Sequence, residues 1–298
     1  MAAEQRASDI YYQVDKSTWS KLNYDVDVAM TDGKSISDDT KSLYIVAIQA
    51  ALAQLHLTES VVSFSSATSI LDVACGPGTV YSALFSSPIA LSPTAPLLAI
   101  DISPSMIANL NKTKLAHSGS RSWSRVQASV LDATDLSAIP SASQSHVLSG
   151  MGICSIPEST AALREARRVM APGAVFSMTS IAKAAWMTDV MGILTAMYPA
   201  RKVPFMAEKW RTREALKAEL ELNGFVDVVV EEAPLSMRFT NPETFIQTLW
   251  AVLPFMPGLT RGLSEEDVQA VKNAQVQFVR ENYPDRAIPG LALISVAR

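Results

Sequence analysis

The chain has 298 residues, of which 48% are hydrophobic and 18% charged, with a formal net charge of −4. That length and balance exclude wholesale disorder and allow a large α/β core. Its basic residues fall in short helical groupings, such as Lys112/Lys114, Arg164/Arg167/Arg168 and Lys209/Arg211/Arg213, so the basic face that nucleic acid requires is not expected.

The N-terminal run, residues 1–16, is polar and carries no apolar signal core. Residues 38–56 are expected to form a long helix with acids at its start, which suits the helix dipole. Residues 69–74 are a short apolar run, read as a buried strand, and 79–85 a helix opening from the glycine-rich turn that follows. A second strand is expected over 97–101 and a second helix over 104–115, with Ser103 as N-cap. Residues 123–128 and 146–150 read as the third and fourth strands, 160–170 as a helix stopped by Pro172-Gly173, and 174–179 as the fifth strand. Ser/Ala/Pro-rich patches between these runs read as surface loops.

Beyond this core, 182–210 and 241–283 are rich in Met, Trp, Phe and Pro and read as helices and turns. Between them lie a helix over 212–222 and a strand over 225–231, and 291–297 makes a short terminal strand. The most membrane-like stretch, 249–259, is about half the length a spanning helix needs, so stable membrane insertion is not expected. Two cysteines, Cys75 and Cys154, cannot staple such a chain, and neither has a CxxC partner. A reducing cytoplasm and no metal are therefore expected. The alternation predicts an α/β fold, a mostly parallel sheet with helices on both faces. One domain is expected over 1–298: an N-terminal helical lid segment (1–57), a core (60–182), and helical insertions with the last strands (183–298).

The chemistry is concentrated in Ile70-Leu71-Asp72-Val73-Ala74-Cys75-Gly76-Pro77-Gly78-Thr79. A strand ending in an acid and turning through glycines into a helix offers open backbone N–H groups to a ligand, and Gly76 and Gly78 permit close approach. Read as a dinucleotide fingerprint, the pattern has Tyr81 at the third glycine, which disfavours a nicotinamide enzyme. Asp72 is placed to meet an ammonium group, directly or through water. The second strand ends in Asp101, 23 residues beyond Gly78, near the spacing at which an acid reaches a ribose diol. Ile102 follows it, and Met106 offers a thioether to an adenine face. Asp132 lies past the third strand, where it can accept from an exocyclic amine with Leu131 and Ala133 at the ring edge.

These ordered motifs resemble the class I S-adenosylmethionine-dependent methyltransferases, within the small-molecule group that includes the ubiquinone/menaquinone-biosynthesis type. The resemblance covers about 69–230, and the segment Leu-Arg-Glu-Ala-Arg-Arg-Val-Met-Ala-Pro-Gly-Ala-Val-Phe (163–176) is typical of it. It implies a Rossmann-like seven-stranded sheet with the last strand antiparallel, and S-adenosylmethionine as cofactor. The implied cofactor residues are Asp72, Ala74, Gly76, Gly78, Asp101, Ile102, Met106, Leu131, Asp132, Ala133, Gly150 and Met151. The chain departs from the pattern at Ala74, where the family commonly has its first glycine. It departs again at Cys154-Ser155, where many relatives carry a His pair, so no imidazole base is expected from that location.

Methyl transfer is an in-line displacement, and alignment in a dry site supplies much of the catalysis. His56, His117 and His146 read as exposed or structural, and no catalytic residue is assigned. The acceptor is expected to be a small, largely apolar molecule, of the quinone or specialised-metabolite kind. Aromatic and Met-rich segments supply the candidate contacts: Tyr11, Tyr12, Trp19, Cys154, Trp186, Met187, Phe245 and Trp250. Two other readings stay open on the same scaffold: a rearrangement, cyclisation or decarboxylation assisted by the bound sulfonium, or an inactive cofactor-binding partner subunit.

Overall fold

The computed structural model describes residues 41–253 and 255–298. The readings at Tyr11, Tyr12 and Trp19, and the acidic start of the first helix, lie outside the described residues. A seven-stranded sheet organises the fold in the order β3-β2-β1-β4-β5-β7-β6. β1 (Ile70–Val73), β2 (Leu97–Asp101), β3 (Val126–Val130), β4 (Gln144–Ser149) and β5 (Met170–Ala184) run parallel. β7 (Ala287–Ala297) is antiparallel to both β5 and β6 (Val229–Arg238). The order reverses at β1/β4, and a crevice outside the carboxyl ends of such strands is where ligands bind in open α/β sheets.

The helices are α1 (Lys41–Val61), α2 (Thr79–Ser86), α3 (Pro104–Ala116), α4 (Arg121–Ser124), α5 (Ser159–Val169), α6 (Gly192–Met197), α7 (Arg213–Leu222), α8 (Pro242–Val252), α9 (Met256–Thr260) and α10 (Glu265–Asn282). Alternation along the strands divides the core between two faces. Leu71, Val73, Phe176 and Met178 pack with Leu163 of α5 and Leu216 of α7. On the other face Ile70, Leu97 and Leu148 pack with Leu55 of α1, Val80 of α2 and Leu110 of α3. A third cluster joins the long ends of β6 and β7 to α8 and α10. Gln49 of α1 covers the free edge of β6: its amide donates to Ser236 O (3.3 Å) and accepts from Ser236 N–H (2.9 Å). Edge groups are thereby satisfied without another strand. Among the described residues no helix is long and apolar enough to cross a membrane.

Several boundaries differ from the sequence expectation. Trp123 belongs to α4, because Ser120 Oγ accepts from its N–H, and the indole packs edge-on against Phe85 at 4.9 Å. The cap overrides the aromatic strand propensity, and β3 begins only at Val126. β4 begins two residues earlier than expected, at Gln144, and β5 runs from Met170 to Ala184, because pairing with β7 carries it on from Phe176. Pro172-Gly173 falls in the irregularity where pairing jumps from Gln144↔Met170 to His146↔Val175. β6 starts at Val229 rather than at Phe225, since Gly224 (φ 86°) and Asp227 (φ 52°) turn the chain while Phe225 stacks on Phe176. Pairing from Val229↔Val296 to Arg238↔Ala287 extends β7 beyond its apolar core.

Candidate active site

The turn between β1 and α2 passes through three left-handed residues, Ala74 (φ 53°), Gly76 (φ 55°) and Gly78 (φ 91°). Cys75 N–H donates to Ile100 O at 2.9 Å, fastening the turn to β2. A Cβ at Gly76 would meet no atom within 4 Å, so this face of the turn opens into a cleft. Gly78 differs from the expectation of close ligand approach. A Cβ there would lie 3.3 Å from Leu110 and 3.6 Å from Trp123, so its glycine serves the turn and the packing of α3.

Asp101 ends β2 and is 9% exposed. Its Oδ2 accepts from Gly76 N–H and its Oδ1 from Ser103 N–H, both at 2.9 Å, so one carboxylate ties two loops together. Burial raises its pKa, while those two N–H groups pull it down. Ser103 caps α3 as expected, accepting from Met106 N–H. Leu131 N–H donates to Asp101 O, which sets the third loop beside the second. Asp132 Oδ1 accepts from Thr134 N–H (2.9 Å) and Thr134 Oγ1 (2.7 Å), fixing its side chain at the cleft edge.

These groups border one cleft at the carboxyl ends of the strands. Every cofactor residue read from the sequence lines it except Asp72 and Gly78. Sequence reasoning missed Ser103, Gly152, Ser155, Ile156 and Pro157, which complete the wall. Asp72 lies behind that wall, 0% exposed, and neither carboxylate oxygen has a hydrogen-bond partner among the described residues. Burial, and then the nearby Asp101 carboxylate, holds its pKa well above the ordinary range.

Gly152 carries a signal that no linear pattern shows. A Cβ there would lie 2.6 Å from Ala74 Cβ, 2.8 Å from Ser149 Oγ and 3.0 Å from Val73 O. The methyl at Ala74 therefore requires the absence of one at Gly152. Gly152→Ala is expected to lower stability by about 2 kcal/mol through overpacking. Ala74→Gly in the same chain should restore part of that loss in chemical denaturation, because Val73 O stays close. Additive losses would contradict the pairing.

The expected acceptor contacts lie elsewhere. Trp186, Met187, Phe245 and Trp250 are buried in the third core cluster, and none lines the cleft. Their apolar mass packs helix on sheet, and a Cβ at Gly290 would fall 2.5 Å from the Trp186 ring. Cys154 is buried and donates towards Thr179 O at 3.6 Å. Burial pushes its thiol up to about 12, which removes it as a nucleophile at neutral pH. His56 is exposed, and His117 caps α3 through Thr113 O. His146 is buried against Phe64 with Nε2 on Val62 O. None of the three lines the cleft, whose titratable side chains among the described residues are Asp101 and Asp132.

Residues 70–173 match a family model described as a methyltransferase domain. The chain is 29% identical over 266 residues to methyltransferase ucsB of Acremonium sp., covering 87% of this chain and 91% of that one. It is 27% identical over 202 residues to methyltransferase tpcH of Aspergillus fumigatus, covering 64% and 69% respectively. Among solved structures, the YcgJ protein of Bacillus subtilis superposes with a TM-score of 0.52 at 12% identity, covering 83% of this chain and 97% of that one. That likeness is one of fold.

Proposed function

We propose that this chain is a class I S-adenosylmethionine-dependent methyltransferase and that it methylates a small, largely apolar molecule, mainly by proximity and orientation. The observation that carries this reading is the cleft wall from Gly150 to Pro157, where Met151, Ile156 and Pro157 are interrupted by glycine and by a single hydroxyl, Ser155. An apolar wall with few polar groups suits a small organic acceptor of the quinone or specialised-metabolite kind. The net charge of −4 supports the same reading against nucleic acid. Two buried free thiols suit a reducing compartment and so a cytoplasmic location.

The residues present fit the cofactor. In this reading Asp101 takes the ribose hydroxyls while its carboxylate still orders the Gly76 turn. Asp132 accepts from the adenine amine, between Leu131 and Ala133, with Ile102 and Met106 against the ring. The open face of Gly76 and Asp72, unpartnered among the described residues, receive the amino-acid end. When bound, the cofactor supplies an electrophilic methyl group on a sulfonium. The chain's part is to align the acceptor with that methyl and to exclude water. With no histidine among the described cleft residues, and with Asp101 and Asp132 given to the cofactor in this reading, an acceptor whose proton ionises readily in solution fits best.

The test is incubation with methyl-labelled S-adenosylmethionine and a panel of acidic apolar phenols and enols, polar amines, a peptide and an RNA, read by mass spectrometry. Label is expected in the phenol or enol class. Label confined to the peptide or the RNA would overturn the reading.

A further inference from the structure

Beneath α1, on the sheet face away from α5 and α7, three side chains hold polar atoms with no hydrogen-bond partner among the described residues. They are Asp72 through both carboxylate oxygens, Gln54 through Oε1 and Ser177 through Oγ. All three residues are 0% exposed. Register sets two of them on one face: Asp72 pairs with Leu148 and Leu148 with Ser177, so Asp72 and Ser177 face the same way from β1 and β5, two strands apart with Leu148 between them. Gln54 reaches down from α1 onto this row, its Nε2 donating to Ser177 O at 2.9 Å. Its Oε1 lies just behind the cleft, since a Cβ at the cleft residue Gly150 would sit 3.8 Å from it.

The fold satisfies its other buried amides. Gln275 accepts from Trp250 Nε1 (2.7 Å) and donates to Val190 O (3.0 Å), and Gln144 accepts from Ser69 Oγ (2.6 Å) and donates to Ser143 Oγ (2.9 Å). Unpaired buried groups are costly, so their concentration on one sheet face behind the cleft calls for a ligand. A carboxylate, an amide carbonyl and a hydroxyl form an acceptor-rich set, and the charged group acting on Asp72 is another acid, Asp101. The complement to such a set is a donor-only cation, and a primary ammonium brings three N–H donors and no acceptor.

We propose that Gln54 Oε1 is a ligand of the ammonium group at the amino-acid end of the cofactor, sharing it with Asp72. This rests on the cofactor placement given above. It assigns to α1 a direct part in cofactor capture, through a residue more than fifteen positions upstream of the glycine turn.

The test compares two ligands by calorimetry: S-adenosylhomocysteine, and 5′-methylthioadenosine, which keeps the nucleoside and thioether but lacks the amino-acid end. Gln54→Met is expected to weaken S-adenosylhomocysteine about tenfold or more, as for a lost hydrogen bond to a charged group, and methylthioadenosine less than about twofold. Equal losses for both ligands would reduce Gln54 to packing α1 on β5, and unchanged affinities would remove it from the site; either overturns the proposal. Should Gln54→Met fail to fold, Gln54→Glu keeps the length and the acceptor, and the ligand ratio should hold or rise; a fall would overturn it. Failure of the underlying placement looks different. Wild-type protein would then bind neither ligand, or Asp101→Asn would leave both affinities unchanged.

Discussion

Asp101→Asn is expected to weaken S-adenosylhomocysteine about 100-fold while leaving the sheet intact. The carboxylate has two tasks. It accepts the N–H groups of Gly76 and Ser103, each at 2.9 Å, and in the proposed site its remaining lone pairs take the ribose hydroxyls. An asparagine is isosteric but must point an NH₂ group at one of those N–H donors. The turn loosens as the charge-assisted bonds to the ribose are lost. Together these cost about 3 kcal/mol of binding, near 100-fold in affinity. The strand below is held by register and core packing, so thermal unfolding should fall by only a few degrees. Calorimetric affinity within about threefold of wild type would contradict this placement.

Asp72→Asn should separate stability from binding. The native carboxyl is fully buried without a partner among the described residues, a condition that costs about 1–3 kcal/mol per group and more when charged. The substitution removes the charge and keeps the shape, so the cofactor-free protein should gain about 2 kcal/mol near neutral pH. Affinity for S-adenosylhomocysteine should fall by more than about tenfold, because the ammonium loses its counter-charge.

The pH dependence has a definite sign. Burial raises the folded pKa of Asp72 above its unfolded value, so the folded state binds more protons. Its contribution to stability is full below the unfolded pKa, about 4, and is lost as pH rises through the folded value. Cofactor-free wild type should therefore fall away from Asp72→Asn as pH increases from about 4, in denaturation curves measured across the range. Bound cofactor should flatten the divergence, since an ammonium favours the ionised form. Parallel curves for the two proteins would show that Asp72 is not held in this way.

Much of this site was legible in the chain because it is built from strand ends. Three acids, Asp72, Asp101 and Asp132, follow three apolar runs, and parallel pairing of β1, β2 and β3 brings those ends together whatever happens elsewhere. The glycine turn was legible for the same local reason: left-handed backbone at Gly76 and Gly78 needs those residues. What was not legible depends on pairs distant in sequence. The collision between Ala74 and Gly152, and the meeting of Gln54 with Ser177, follow from strand register and helix placement that local periodicity does not encode. Composition misled at the aromatics. Trp186, Phe245 and Trp250 are as apolar as a pocket wall, but an apolar side chain gains as much from core packing as from lining a cleft. Trp123 was misplaced because a serine cap, not the indole's strand preference, decides its local structure.

A crystal structure with S-adenosylhomocysteine tests most directly where the cofactor lies. The predicted result has the adenine amine on Asp132, the ribose hydroxyls on Asp101, and the amino-acid end over Gly76 with its ammonium turned towards Asp72 and Gln54. Density for the ligand away from the carboxyl ends of β1, β2 and β3, or with the ribose out of hydrogen-bond reach of Asp101, would contradict it.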